Sequence, residues 1–412
     1  MIAVTTRPRI EVADILRQHG EEFRRRHRLS RRQKIILGRI EDCRTAALGG
    51  HKDTCDTCGH VRISYNSCRD RHCPKCQSLK KAEWLHKRRA RLLPVHYFHV
   101  VFTLPHKLRA LALGNKRLMY NMLFRAAAQT LQAIARDGKH LGAQVGFTAI
   151  LHTWGQDLRF HPHLHCVVTG GGLSEDRTHW VSARANFFLS VKVLGKLFRG
   201  KFLAALKDAY SDRKLTLGKS TEAYEDPKVW KRLLDELYRL KWVVYAKRPF
   251  GGPENVFRYL GRYTHRVAIS NHRIVSLEAG KVSFHYRDYA DGQKKKLLTL
   301  DALEFLRRFT LHILPPRFVR IRHYGLLASS NIKTKLAIAR QLLDSRSQKH
   351  DALASEPQLE LSKPWHERLF ILTGEDVFAC PVCKRGRLVR APLDCRSMTW
   401  GAPNRLLTLD TS

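Results

Sequence analysis

No run of eighteen or more apolar residues occurs in this chain of 412, so no stretch has the length and apolarity of a membrane-spanning helix. Met1-Ile2-Ala3-Val4 opens no signal-peptide pattern either, and the protein is expected in the cytoplasm. Internal repeats and low-complexity tracts are missing, which argues against a solenoid or a disordered chain. Acidic residues are scarce: 36 Asp+Glu stand against 75 Lys+Arg, a formal net charge of +39 with pI ≈ 10.3. Such an excess implies a polyanionic partner, most simply nucleic acid, whose phosphates release counterions on contact. At 43% hydrophobic residues the chain has ample apolar material for two or three domains.

The cysteine pattern does not suit disulfides. Nine of the ten cysteines cluster toward the two ends in metal-like spacings, and the tenth, Cys166, sits in an apolar run. Within 43–76, Cys55-Asp56-Thr57-Cys58 and Cys73-Pro74-Lys75-Cys76 are two CxxC pairs, each able to wrap two thiolates round a tetrahedral Zn²⁺. Cys55, Cys58, Cys73 and Cys76 are therefore expected to share one ion. Cys43, His51, Cys68 and His72 are left for a second, Cys₂His₂-type site, with His60 as an alternative ligand. No open coordination position or general base accompanies them, so the zinc is read as structural and the module as a platform presenting basic residues to DNA. Residues 1–40 read as an amphipathic helical lead-in with the basic blocks Arg24-Arg25-Arg26-His27-Arg28 and Arg31-Arg32-Gln33-Lys34. A basic helix follows the module, where Lys80, Lys81, Arg88 and Arg89 are candidate phosphate contacts.

From Pro94 the pattern changes. Val95–Leu104 reads as a central strand, 107–136 as a long helix striped by Leu108, Leu111, Leu118, Met122, Leu123, Leu131 and Ile134, and Phe147–Trp154 as a second strand. Then comes His161-Pro162-His163-Leu164-His165, running into Cys166-Val167-Val168-Thr169 and three glycines. Side chains alternate along a strand, so the three imidazoles at i, i+2 and i+4 share one face, the geometry of a metal site on a sheet. The order strand, helix, strand, strand predicts an α+β domain whose antiparallel sheet carries helices on one face. Helices are expected over 187–210 and 227–240, a short strand at Trp242–Tyr245, a helix over Glu254–Tyr263, and a hairpin turning at Asp291-Gly292. On spacing alone, Tyr259 and Tyr263 share a helical face about 6 Å apart and read as aromatics packing into a core. Arg317, Arg320 and Arg322, with His323 and Lys333, form a second basic patch, interleaved with Phe318 and Tyr324 as possible base-stacking rings. A polar linker follows near 341–366, then a tail holding Cys380-Pro381-Val382-Cys383 and Cys395, short of a fourth thiolate, with His366 as a further ligand or no metal at all as the open alternatives.

Three functions compete for the histidine strand. A zinc hydrolase would use three imidazoles and an activated water. A DNA-binding regulator would use no catalysis. A nicking enzyme would use two imidazoles and one polar ligand to hold a divalent ion on a phosphate, with tyrosine as nucleophile. The last connects the most features, because a phenol of pKa about 10 attacks poorly unless the phosphate is activated.

His163-Leu164-His165 resembles the His-hydrophobic-His motif of HUH endonucleases, and Tyr259-Leu260-Gly261-Arg262-Tyr263 resembles the paired-tyrosine motif of their two-tyrosine class. With the Cys-rich head before them, roughly residues 30–335 are similar to insertion-sequence rolling-circle transposases of the IS-ninety-one type. The resemblance implies a bacterial, nucleoid-associated enzyme with a palm-like, RRM-like sheet, acting on single-stranded element ends and target DNA. It implies Tyr259 and Tyr263 as nucleophiles and His163 and His165 as ligands of Mg²⁺ or Mn²⁺. It does not fix the third ligand, for which Gln156 is the choice and His161 the alternative. Arg262 and Arg266, beside the tyrosines, join the DNA-binding candidates. The expected division is a zinc-binding domain over 1–93, the nuclease domain over 94–340, the linker, and a tail over 367–412.

Overall fold

A computed structural model describes residues 8–76, 78–89, 91–184, 189–250, 255–256, 268–288, 291–345 and 362–393. Of the helix predicted over 254–263 only residues 255–256 are among them; Tyr259, Arg262, Tyr263 and Arg266 lie outside, as does Cys395. The chain divides into two compact units. The first draws on Met1–Trp84, His265–Thr310 and Leu353–Ser412, the second on Leu85–Thr264 and Leu311–Ala352. This departs from the expected division. The hairpin region after residue 264 belongs with the cysteine-rich head, and so does the C-terminal tail. Of the expected linker, residues 346–361 lie outside the described set, while its ends belong to the helices Lys335–Asp344 and Trp365–Thr373.

In the second unit, β3 (Tyr97–Thr103), β4 (Gln144–Trp154), β5 (Phe160–Leu173), β7 (Val244–Phe250) and β11 (Ile321–Gly325) form an antiparallel sheet in the order β11-β4-β5-β3-β7, with β6 (Trp180–Ser182) also paired to β5. Strand alternation sorts its two faces. Phe98, Val100 and Phe102 of β3, Phe147, Ala149 and Leu151 of β4, and Leu164, Cys166 and Val168 of β5 all enter one apolar core. Against them pack α5 (Lys116–Arg136), α6 (Val191–Ser211) and α7 (Pro227–Arg239), through residues such as Leu123, Leu131, Phe198, Phe202, Leu233 and Leu237. The alternate residues, His99 of β3, His152 of β4 and His161, His163 and His165 of β5, fall on the other face. The α+β expectation with an antiparallel sheet therefore stands.

Two local details position that face. Pro162 has no N–H for a ladder, and it sits in a bulge, where His152 pairs with His163 but Trp154 pairs with Phe160, leaving two β5 residues opposite Thr153. A Cβ on Gly171, whose φ is +152°, would come within 2.5 Å of the Val181 carbonyl, which explains a glycine where β6 joins β5. The helix predicted over 107–136 is broken at Asn115 into α4 (Arg109–Gly114) and α5. The Asn115 amide donates to the carbonyls of Leu111 (3.1 Å) and Thr216 (2.9 Å) and accepts the Thr216 N–H (2.8 Å), anchoring the break to another loop.

In the first unit, α1 (Val12–Arg26) buries Val12, Ile15, Leu16 and Phe23 and packs on α2 (Arg31–Glu41), which opens with a reciprocal Ser30–Gln33 capping box. The hairpin of β1 (Gly50–Cys55) and β2 (Val61–Tyr65) takes a third strand from the tail, β12 (Leu388–Pro392), in the order β12-β1-β2. A separate antiparallel sheet, β8 (Ile274–Glu278), β9 (Lys281–Asp288) and β10 (Lys294–Asp301), carries the predicted second hairpin strand from Lys294 and packs Phe284 on Phe305 of the helix Ala302–Leu311. Among the described residues no helix is long and apolar enough to cross a membrane.

His312, only 1% exposed, braces the β4–β5 connection: its Nε2–H donates to the Leu158 carbonyl (3.0 Å) and its Nδ1 accepts the Thr153 hydroxyl (3.2 Å). Burial pushes its pKa down to about 3 from an ordinary 6.5. Below pH 6.5 the unfolded chain takes up a proton that the folded one refuses, so stability falls by about 1.4 kcal/mol per pH unit until pH approaches 3. Urea unfolding of wild type should therefore show about 2 kcal/mol more loss between pH 6.5 and 5 than His312→Asn. Equal losses would contradict this role.

Candidate metal centres

The face opposite the helices concentrates imidazoles. His152, His163 and His165 offer ligand atoms that all lie within 4.8 Å of one another. The β4–β5 register sets His152 directly across from His163, and the two-residue period brings His165 alongside. The Nε2 atoms of His163 and His165 are 2.9 Å apart. The His161 carbonyl, which can only accept, lies 2.7 Å from His163 Nδ1, so Nδ1 carries the proton and Nε2 keeps its lone pair. His165 Nδ1 is 2.8 Å from Nε2 of His99, a buried neighbour on β3 that orients the ring. Burial pushes the His163 pKa down to about 4 and also lowers that of His161, so His163 stays neutral and able to bind a cation at pH 7. Trp154 stacks on His152, with ring centroids 4.5 Å apart, and fixes its plane.

The third imidazole is where the geometry departs from the sequence reading. His161, the alternative ligand, is outside the group, and its carbonyl instead positions His163. Gln156 lies in the turn joining β4 to β5, whereas His152 faces His163 on the paired strand. His152 was readable as a strand residue, but its proximity depends on a register that the sequence does not specify. Three nitrogen donors also change the fit. Mg²⁺ prefers oxygen ligands, while imidazole suits Mn²⁺ and the later divalent metals better.

The cysteines regroup as well. Cys43, Cys68, Cys73 and Cys76 form one four-thiol cluster, and Cys55 and Cys58 form another with Cys380 and Cys383 of the tail. The pairing of the two neighbouring CxxC motifs on one ion is thus corrected: β12 pairs with β1 and brings the tail motif, not Cys73 and Cys76, to Cys55 and Cys58. The Cys₂His₂ grouping fails for a related reason. His72 is buried and hydrogen-bonded to Asp70 (2.8 Å), and neither His51 nor His60 is in either cluster. His366 instead packs edge-on against Phe378. Asp53, with no exposure, ties the tail down through a bidentate pair with Arg390 of β12 (2.7 and 3.0 Å) and also pairs with Arg62 of β2 (3.1 Å). Burial alone would raise the Asp53 pKa, and the arginines hold it below the ordinary value.

The basic candidates divide. Lys80, Lys81, Arg88 and Arg89 lie on α3 (Ser78–Arg89), where burial lowers the Arg88 pKa to about 10. Arg317 is exposed, whereas Arg320 is 8% exposed and the Arg322 guanidinium covers the Phe124 ring at 4.1 Å. Phe318 is buried, and Tyr324 stacks on Phe147 at 5.0 Å, so both rings belong to the core instead of forming a base-stacking platform.

A family model described as "Putative transposase" matches residues 146–335, the span that holds the imidazole group, and one described as "Transposase zinc-binding domain" matches residues 15–104. Over 380 residues the chain is 50% identical to "Putative transposase y4qJ" of Sinorhizobium fredii, covering 92% of this chain and 94% of that one. It is 30% identical over 293 residues to "Transposase for insertion sequence element IS801" of Pseudomonas savastanoi pv. phaseolicola, covering 70% and 68%. No solved structure matches. The chain belongs to the insertion-sequence transposases of the IS-ninety-one type, with their zinc-binding domain. A transposase acts on DNA, in keeping with the basic balance of the chain.

Removing the orienting ring by His99→Ala should weaken Mn²⁺ binding about 10- to 100-fold, as measured by calorimetry. Gln156→Ala should leave it within about twofold. The reverse ranking would restore Gln156 as the third ligand and dismiss His99.

Proposed function

We propose that the protein nicks and rejoins single-stranded ends of a bacterial mobile element through a 5′-phosphotyrosine intermediate, in the manner of rolling-circle transposition. The observation that carries this reading is the group of three imidazoles on the sheet face opposite the apolar core, within the span of the transposase model. The antiparallel sheet is then the palm-like platform, and His152, His163 and His165 hold a catalytic divalent ion, with Mn²⁺ a better fit than Mg²⁺ to three nitrogens. Such an ion, when bound, neutralises and aligns a phosphate.

The chain's own chemistry falls to Tyr259 and Tyr263. One phenolic oxygen gives up its proton and attacks the scissile phosphorus, the bond from phosphorus to the 3′ oxygen breaks, and the departing 3′ oxygen takes up a proton in turn. The phosphotyrosine ester keeps the energy of the phosphodiester, so a later 3′-hydroxyl reverses the attack and joins strands without a nucleotide cofactor. Two tyrosines allow two such transfers in succession. Lys80, Lys81, Arg88, Arg89, Arg262, Arg266 and Arg317 supply phosphate contacts, and the bacterial cytoplasm, at the nucleoid, is where the substrate lies.

The three-imidazole donor set also fits a zinc hydrolase, which would release free ends and leave no adduct. Labelled single-stranded element end is mixed with Mn²⁺ and wild type, Tyr259→Phe, Tyr263→Phe or the double variant, then denatured. A covalent adduct is expected with wild type and should vanish in the double variant. Cleavage without adduct would favour the hydrolase, and DNA binding with neither would leave a regulator.

A further inference from the structure

The tail motif is outside both family-model spans, 15–104 and 146–335, yet it completes a cluster with the head. Cys55 Sγ lies 3.7 Å from Cys383 Sγ, and Cys58 Sγ lies 3.7 Å from Cys380 Sγ, across 328 and 322 residues of chain. A tetrahedron of thiolates about 2.3 Å from Zn²⁺ has edges of about 3.8 Å, whereas a disulfide would hold its sulfurs about 2.05 Å apart. Both halves of the cluster are turned for thiolates. The amides of Thr57 (3.4 Å) and Cys58 (3.5 Å) point at Cys55 Sγ, and that of Gly386 (3.3 Å) points at Cys383 Sγ.

The surroundings leave little freedom. A Cβ on Gly386 would lie 2.5 Å from Cys55 Sγ, and Asp56 Oδ1 accepts the Arg387 amide at 2.8 Å. Cys55 and Cys380 are 3% and 1% exposed. Around them, β12 pairs with β1 from Cys55↔Leu388 to His51↔Pro392, and Arg390 grips Asp53.

We propose that Cys55, Cys58, Cys380 and Cys383 bind a structural Zn²⁺ that locks the C-terminal tail into the zinc-binding unit, as a second ion beside the one held by Cys43, Cys68, Cys73 and Cys76. Four thiolates close the coordination shell and leave no position for substrate, so the ion's work is folding. Because zinc binding is coupled to folding, the unit closes only when the segment around Cys380–Pro392 has joined that around His51–Cys58. A copy truncated before Cys380 would keep the nuclease sheet and lose this closure. The inference does not depend on the reaction proposed above.

Zinc per full-length chain, measured by atomic absorption, tests the grouping. Relative to wild type, Cys380→Ser with Cys383→Ser should lose one ion and Cys58→Ser with Cys380→Ser also one, because both residues serve the same ion. Cys58→Ser with Cys73→Ser should lose two. If the two neighbouring CxxC motifs shared an ion instead, the tail variant would keep wild-type zinc and the Cys58, Cys73 variant would lose a single ion, which overturns the proposal. Native alkylation of the wild-type chain covers the case of a variant that fails to fold. Cys55, Cys58, Cys380 and Cys383 should resist iodoacetamide together and become labelled as one set on chelation. Labelling of Cys380 and Cys383 in the zinc-loaded protein would refute the site.

Discussion

The antiparallel register between β4 and β5 is the constraint on which the candidate site depends. It sets His152 across from His163, and the strand period adds His165 on the same face. A slip of one residue would turn these imidazoles into the apolar layer and Leu151 and Leu164 out of it. Leu151 and Leu164 are fully buried against the helices, so the same packing that stabilises the sheet also fixes the imidazole face. Pro162 disturbs that ladder only at a bulge, where the loss of its N–H costs no pairing. The carbonyl of His161 and the ring of His99 then set the orientation of the two β5 imidazoles.

The zinc-binding unit is held by different physics. The sheet that takes in the tail is small, with three strands, and its tail strand is secured by one thiol cluster and by one buried carboxylate shared between two arginines. Removing Arg390 would leave the buried Asp53 charge with Arg62 alone, which is costly. The nuclease sheet, by contrast, rests on a broad apolar core with three long helices. The two units therefore answer to different perturbations, chelation for one and core mutation for the other.

Much of this was legible in the sequence, and what was missed shares one cause. Periodicity located β3, β4, β5, α6 and α7, because each has its own alternating or helical pattern. The His163-Leu164-His165 alternation put two imidazoles on one sheet face without any structure. Contacts between distant segments were not legible. The tail CxxC looked incomplete because its partners stand 322 and 328 residues away, and the two head motifs looked like partners because they are neighbours in sequence. His152 was overlooked because nothing local says which residue faces His163. Phe318 and Tyr324 passed for stacking platforms since an aromatic between arginines has the same local pattern whether it is buried or exposed. Asn115 broke a well-patterned helix through bonds to Thr216, again a distant contact.

The central claim, that three imidazoles from two paired strands form one metal centre, is open to direct counting. Pulsed electron paramagnetic resonance of the Mn²⁺-loaded protein, with histidine nitrogens labelled, reports how many imidazoles bind the ion. The account predicts three in the wild type and two in His152→Ala. Two in the wild type, unchanged by that substitution, would contradict it.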